Sequence, residues 1–247
     1  MLVSIVTATY NSAATVAETI RSVGEQDYPR IEHIVVDGLS GDNTLEIIKE
    51  FPSVKVISEK DKGIYDAMNK GILAANGDII GILNSDDIYA DSKVISKIVE
   101  AFQDSTVQCC YADLQYMHAL DNSRITRTWK SGNYRQGSFY WGWMPPHPTF
   151  FVRKSVYDKV GLYNTSMRSA ADYEMMLRIF VKNNLQTAYV PAVIVKMRTG
   201  GISNATVWNR IRANREDREA WRVNGLRPYF FTLYLKPLRK ITQFLKK

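Results

Sequence analysis

Ile64-Tyr65-Asp66-Ala67-Met68-Asn69-Lys70-Gly71-Ile72-Leu73-Ala74-Ala75-Asn76-Gly77-Asp78-Ile79-Ile80-Gly81-Ile82-Leu83-Asn84-Ser85-Asp86-Asp87 carries a helix, a stop, a strand and a polar cluster in succession. Ile64, Ala67, Met68, Gly71, Ile72 and Ala75 fall at i, i+3, i+4, i+7, i+8 and i+11, one face of a helix. Asn76-Gly77 supplies the usual C-terminal stop. Asp78 to Leu83 reads as a short buried strand, and Asn84-Ser85-Asp86-Asp87 gathers polar groups at its end. Upstream the same grammar repeats. Leu2 to Thr7, Ile31 to Val36 and Val54 to Ser58 read as strands, and Val16, Ile20 and Val23 mark a helical face after Asn11 or Ser12 as cap. Downstream, Ile95, Ile98, Val99 and Phe102 share the face of a further helix.

Four strand–helix units in about 100 residues predict an α/β fold with a mostly parallel sheet covered on both faces. Ligands in such sheets bind beyond the carboxyl ends of the strands. The polar clusters Thr7 to Asn11, Asp37 to Asp42, Glu59 to Gly63 and Asn84 to Asp87 all follow strands. One rim is therefore expected to collect them.

The second half is less regular. Val107 to Tyr111 and Arg124 to Trp129 read as strands, and Ala171 to Lys182 as a helix with Tyr173, Met176, Leu177 and Phe180 on one face. Gly132 to Thr149 is rich in Gly, Pro and aromatics, which predicts a long loop of the kind that often carries function. The adjacent Cys109 and Cys110 offer neither a disulfide framework nor metal-ligand spacing, and read as buried strand thiols.

The 247 residues, 45% apolar and 23% charged, suit an ordinary globular α/β domain, or one domain with an appendage. No apolar run reaches the roughly 18 to 20 residues of a membrane span, and the first ten residues lack the basic region of a signal peptide, so the expected location is cytoplasmic. The net charge of +7 is uneven. Residues 207–247 hold eleven Lys or Arg against three Asp or Glu, whereas residues 1–206 hold 21 against 22. The basic character belongs to the tail, which suggests contact with an anionic surface.

Asp86-Asp87 after an apolar strand suits a hard divalent cation that neutralises a diphosphate; equally, one Asp could cap a turn while the other is solvated. Asp37 could accept from a nucleobase or ribose hydroxyl, or simply start a turn. Taken together the clusters resemble family 2 glycosyltransferases. Thr7-Ala8-Thr9-Tyr10-Asn11, Asp37-Gly38-Leu39-Ser40-Gly41-Asp42-Asn43-Thr44, the Glu59 to Gly71 segment, Gly77-Asp78 and Leu83-Asn84-Ser85-Asp86-Asp87 match that family in order and spacing over residues 3 to about 90. The family's Asp-x-Asp is written Asn84-Ser85-Asp86, an amide replacing its first carboxylate.

The resemblance implies a GT-A fold in which residues 1–206 form the transferase domain. Residues 1–105 would be its nucleotide-binding half, 106–206 its acceptor-binding half and 207–247 a basic amphipathic helical segment. It implies Thr7, Thr9, Tyr10, Asp37, Asp61, Lys62 and Ser85 around a nucleotide, uridine by default, and Asp86 with Asp87 holding Mg²⁺ or Mn²⁺. Asp172 stands where the family carries its catalytic base at a helix start; the plain alternative is a carboxylate favoured there by the helix dipole, with Glu174 a surface partner of Arg178. His147 could meet phosphate or acceptor, or be structural. Trp141 and Trp143 could wall an acceptor sugar or fill the core, and Gly200-Gly201-Ile202-Ser203 could lie near the diphosphate or make a plain turn.

The Glu59 to Gly71 segment resembles enzymes of bacterial surface polysaccharides, which implies a lipid-linked saccharide acceptor. Tyr229 to Lys247, mixing aromatics with Lys and Arg, has the pattern of a segment lying on a membrane interface. The alternative is packing against the body or a partner chain. The expected activity is inverting transfer from a nucleotide sugar. A non-catalytic binding protein of the same fold is the rival. A sugar-phosphate nucleotidyltransferase is disfavoured because Thr7 to Ala14 lacks glycine, and no motif supports nucleic-acid recognition.

Overall fold

The computed structural model describes residues 1–119, 121–199 and 207–245. The first half follows the expected alternation: β1 (Val3–Thr9), α1 (Val16–Gly24), β2 (Ile31–Asp37), α2 (Thr44–Lys49), β3 (Val54–Ser58), α3 (Ile64–Ala74), β4 (Ile79–Ile82), β5 (Ile88–Tyr89) and α4 (Val94–Ala101). Then come β6 (Cys109–His118), β7 (Asp121–Trp129), β8 (Phe151–Arg153), α5 (Lys154–Val160), α6 (Ala171–Met176), β9 (Thr187–Arg198), α7 (Val207–Val223) and α8 (Thr232–Leu245). The helix expected to Lys182 is α-helical only to Met176 and widens to a π-type turn over Leu177–Lys182.

Among the described residues nine strands form one sheet in the order β3-β2-β1-β4-β8-β6-β9-β5, with β7 paired to β6. The strands β1 to β4 are mutually parallel. Beyond β4 the sheet is mixed: β8 runs antiparallel to both β4 and β6, while β6 and β9 run parallel. Every residue of β1 is buried, as a central parallel strand requires. Its alternating sides feed two cores. Val6 and Ala8 join Ile34, Val36, Ile80 and Ile82 beneath α3, and Val3 and Ile5 join Ile79 and Leu83 beneath α4. Val16, Ile20, Val35 and Ile48 complete the cover under α1 and α2. Helix α3 lies close on the sheet because Gly71 has no side chain; a Cβ there would overlap Val6 Cγ1. Cys109 and Cys110 are free, fully buried strand thiols, and burial pushes both thiols up.

The chain runs from β1 outward through β2 to β3, then returns to place β4 on the other side of β1. That reversal is a topological switch point, and in open sheets of this kind ligands bind beyond the carboxyl ends of the strands on either side of it, here β1 and β4.

The helices α7 and α8 pack on the body. Ala220, Trp221, Thr232 and Leu233 are buried, and Trp221 Nε1 donates to Tyr173 Oη of α6 at 3.0 Å. Among the described residues no helix is long and apolar enough to cross a membrane.

Candidate active site

Backbone register assembles the rim. Thr9, Asp37 and Ser58 end their strands side by side, Thr9 opposite Asp37 and Asp37 opposite Ser58. Asp37 is fully buried and its carboxylate is held from three directions. Ser40 gives it an amide at 3.1 Å and a hydroxyl at 2.5 Å, and Ser58 gives a hydroxyl at 3.0 Å. A buried carboxylate so fixed is a pre-oriented acceptor. Beside it Thr9 Oγ1 is buried with no hydrogen-bond partner among the described residues. An unpaired buried hydroxyl is costly, which makes it a group waiting for a ligand or water.

The loops that follow these strands are sewn together. Asn11, in the left-handed region at φ 49°, accepts from the Gly41 amide at 2.8 Å and gives its own amide to Ser40 Oγ at 2.9 Å. Ser12 Oγ meets Ser85 Oγ at 2.9 Å, bridging the two sides of the switch point. Gly38 admits Asp61 and Tyr10: a Cβ there would overlap the Asp61 carboxylate, with the Tyr10 ring next nearest. Asp61 is anchored by the Gly63 amide at 2.9 Å, and Tyr10 is largely exposed, free to lie against a planar group. Lys62 is exposed, with its amide on Asp66 at 2.9 Å. Thr7 lies deeper than the others. It is fully buried, and its hydroxyl pairs with His33 Nε2 at 3.0 Å inside the sheet rather than at the rim.

Asp86 and Asp87 turn away from β4 in a tight bend closed by the Asp87 amide on the Asn84 carbonyl at 3.1 Å. Asp87 is fully buried; Asn84 Nδ2 donates to its Oδ2 at 2.9 Å, and its Oδ1 has no hydrogen-bond partner among the described residues. Burial, then the neighbouring Asp86 charge, pushes the Asp87 carboxyl well up. Burial also raises Asp86, against the pull of the Arg198 guanidinium. Asn84, the amide in place of the resembled motif's first acid, thus serves to orient Asp87. An orphaned buried oxygen on an acidic pair whose members both resist ionisation fits a hard cation, which takes oxygen ligands and would relieve both. Among the described residues no group of three His, Cys, Asp or Glu side chains could hold a metal ion. Donor phosphates and water would therefore have to complete the shell, the arrangement usual for Mg²⁺.

The second half brings Asp172 to α3. It sits in the first turn of α6, and Tyr65 Oη donates to its Oδ1 at 3.1 Å. His147 Nε2 meets Tyr163 Oη at 2.8 Å, and Tyr163 lies against Tyr65 with ring centroids 5.7 Å apart. Burial lowers the His147 pKa and the Asp172 charge opposes it, so imidazole and carboxylate are electrostatic neighbours. The segment leading into α6 is held by α7: Glu216 accepts the amides of Arg168, Ser169 and Ala170 at 2.7 to 3.2 Å.

Three expectations need correction or relocation. Glu174 pairs with Arg178 as the i+4 spacing suggests, but the pair is internal: Glu174 is 3% exposed and also takes Asn224 Nδ2 at 3.0 Å. Trp143 is core rather than acceptor wall, its Nε1 on the Ser131 carbonyl at 2.9 Å and its ring among Tyr111, Tyr134, Phe139 and Phe180. Trp141 is instead exposed, beside Tyr229 and Phe231. Gly201 lies outside the described residues. Sequence reading missed Tyr65, Glu216 and Arg198 as site-shaping groups; Arg198 is also ion-paired with Glu18. No local pattern marks any of the three, since each acts on a segment distant in the chain.

An open α/β sheet with its polar strand ends gathered about the β1–β4 switch point and acids on both sides of it is the architecture of the GT-A class. The family model for glycosyl transferase family 2 matches residues 4–161, and the chain belongs to that family. An uncharacterized glycosyltransferase of Mycobacterium tuberculosis is 33% identical over 181 residues, 71% of this chain and 68% of the relative. A PGL/p-HBAD biosynthesis glycosyltransferase of Mycobacterium bovis is 28% identical over 210 residues, 83% of this chain and 80% of the relative. Among solved structures, the mannosyltransferase PcManGT of Pyrobaculum calidifontis, in complex with GDP-Man and Mn²⁺, shares the fold at TM-score 0.68 and 18% identity, over 98% of this chain and 69% of that one. S. aureus TarS 1-349 in complex with UDP-GlcNAc does so at TM-score 0.67 and 17% identity; 91% of this chain is covered, and it spans 65% of the TarS chain.

Proposed function

We propose that the protein transfers a sugar from a nucleotide donor to an acceptor hydroxyl with inversion at the anomeric carbon. The observation that carries this reading is the convergence at one rim of a caged Asp37, an unpartnered Thr9 hydroxyl and the Asp86–Asp87 pair. In this reading Asp37 accepts from the nucleobase or ribose, Asp61, Tyr10 and Lys62 flank the nucleotide, and Ser85 shapes the diphosphate lip. Asp86 and Asp87 hold Mg²⁺ or Mn²⁺, which when bound neutralises charge on the leaving diphosphate. Asp172 takes the proton from the attacking hydroxyl, with Tyr65 fixing its orientation and His147 beside it. Nucleotide sugars bound to the TarS and PcManGT structures support the donor class, and Mn²⁺ in the latter supports the metal.

The acceptor in this reading is a lipid-linked saccharide of surface polysaccharide or glycolipid synthesis, reached from the cytoplasmic face of the membrane through contacts of the C-terminal segment. The PGL biosynthesis relative supports that acceptor class. Asp172→Asn is the direct test. General base catalysis supplies about 10² to 10⁴-fold in rate, so turnover should fall by that factor while donor affinity stays within about twofold. Undiminished turnover in that variant would refute the assignment of the base. A folded protein with no transferase turnover toward any lipid-linked or soluble saccharide would instead favour a non-catalytic donor-binding role.

A further inference from the structure

The outward side of α7 has an unusual charge arrangement. Arg215, Arg218 and Arg222 stand at i, i+3 and i+7, one face of the helix, and all three are exposed. The chain then turns at Gly225, whose φ of 70° suits glycine, and brings Arg227 to the same place. These four arginines, with Trp221 and Pro228, line an open groove of about 520 Å³. One carboxylate, Glu219, shares the lining and is already paired with Arg222. Arg215, Arg218 and Arg227 make no ion pair among the described residues. The other two acids of α7 point inward, Glu216 to the amides ahead of α6 and Asp217 to Lys236. Two of the three acids of this helix thus face away from Arg215, Arg218 and Arg222, leaving a groove that sets four arginines against one carboxylate.

The rim of that groove continues into an aromatic patch. Next after Pro228 come Tyr229 and Phe230, 52% and 89% exposed, and then Phe231, which touches Phe230, Tyr229 and Trp141 at centroid distances of 5.2 to 5.3 Å. Trp141, from the loop after β7, is 56% exposed, and Tyr234 and Leu238 extend the apolar surface along α8. Contiguous exposed aromatics beside unpaired arginines are what a phospholipid interface recognises: rings at the headgroup level, guanidinium groups on lipid phosphate.

We propose that this face docks on anionic phospholipid membrane, the arginine groove receiving lipid phosphate and Trp141, Tyr229 and Phe230 entering the headgroup boundary. Its purpose rests on the membrane-borne acceptor proposed above; its geometry does not. It extends the contact expected of Tyr229 to Lys247 back to the arginines of α7 and to Trp141, in a loop some 90 residues earlier.

The test is co-sedimentation of the full chain with vesicles of phosphatidylcholine alone or with added phosphatidylglycerol, alongside nucleotide titration of each variant. Wild-type protein should prefer the anionic vesicles at least tenfold, and the preference should fade with salt. At about fivefold per removed charge, R218Q/R227Q should lose about 25-fold toward anionic vesicles. Y229S/F230S should lose binding while keeping the groove's charge. Nucleotide affinity should not change in either variant, so failure of docking and failure of the donor site read out separately. Equal binding to both vesicles, no vesicle binding, wild-type behaviour of R218Q/R227Q, binding to RNA in place of vesicles, or abolition of vesicle binding by millimolar glycerol phosphate would each overturn the proposal.

Discussion

Replacing Glu216 by alanine tests whether α7 holds in place α6, the helix that carries the proposed base Asp172. Its carboxylate accepts three consecutive amides, those of Arg168, Ser169 and Ala170, immediately before the turn that carries Asp172. Hydrogen bonds to a charged acceptor contribute about 1.5 to 3 kcal/mol each when partners are lost from buried positions. Here the three amides share one carboxylate and the segment is partly exposed, so water can replace much of it. The net cost of Glu216→Ala is then near that of a single such bond, about 2 kcal/mol. For a domain of this size, that lowers Tm by about 4 to 8 °C. With Asp172 as the proposed base, the larger effect should fall on chemistry, because misplacing a catalytic group by about 1 Å can cost about 10²-fold. In a steady-state assay kcat should fall by about 10 to 100-fold while the donor KM stays within about twofold. Glu216→Gln, which keeps one acceptor oxygen, should recover much of the rate. Wild-type kcat in Glu216→Ala, or a loss confined to donor KM, would refute the clamp.

Two further expectations concern the sheet. His33 is buried as a neutral ring whose pKa is pushed down to about 4 by burial, against 6.5 for the free side chain. The unfolded chain therefore binds the extra proton between about pH 6.5 and 4, and stability should drop by about 3 kcal/mol as pH falls through that window. Denaturant midpoints across the window should lose that slope in His33→Gln; an unaltered slope would place the titrating group elsewhere. Gly71→Ala should destabilise by about 1 to 3 kcal/mol, since its methyl group would have to displace Val6 under α3. Urea unfolding measures this directly, and an unaltered midpoint would mean that α3 can lift off the sheet without cost.

The rim was the readily legible part of this chain. Strand ends and the loops after them are local, so Asp37, Ser85, Asp86 and Asp87 could be placed from periodicity, and the strand order then put them on one rim. Thr7 shows the limit of that reasoning: it belongs to the right strand, but its side chain points to His33 one strand over, a pairing that depends on register. The two tryptophans of the Gly- and Pro-rich loop show another. Trp141 and Trp143 are two residues apart in a segment without helical or strand period, so nothing local decides which is core and which is surface. The Glu216 amide contacts and the Tyr65–Asp172 hydrogen bond span 46 to 107 residues of chain. Such contacts exist only after folding, and composition carries no trace of them.

Calorimetric titration with UDP, GDP and their sugar conjugates, with and without Mn²⁺, bears most directly on the donor site. One nucleotide should bind in a metal-dependent way, and Asp86→Ala should abolish the metal dependence while the protein stays folded. Binding of no nucleotide, or binding indifferent to both Mn²⁺ and Asp86→Ala, would contradict a metal-assisted nucleotide-sugar site at the β1–β4 switch point.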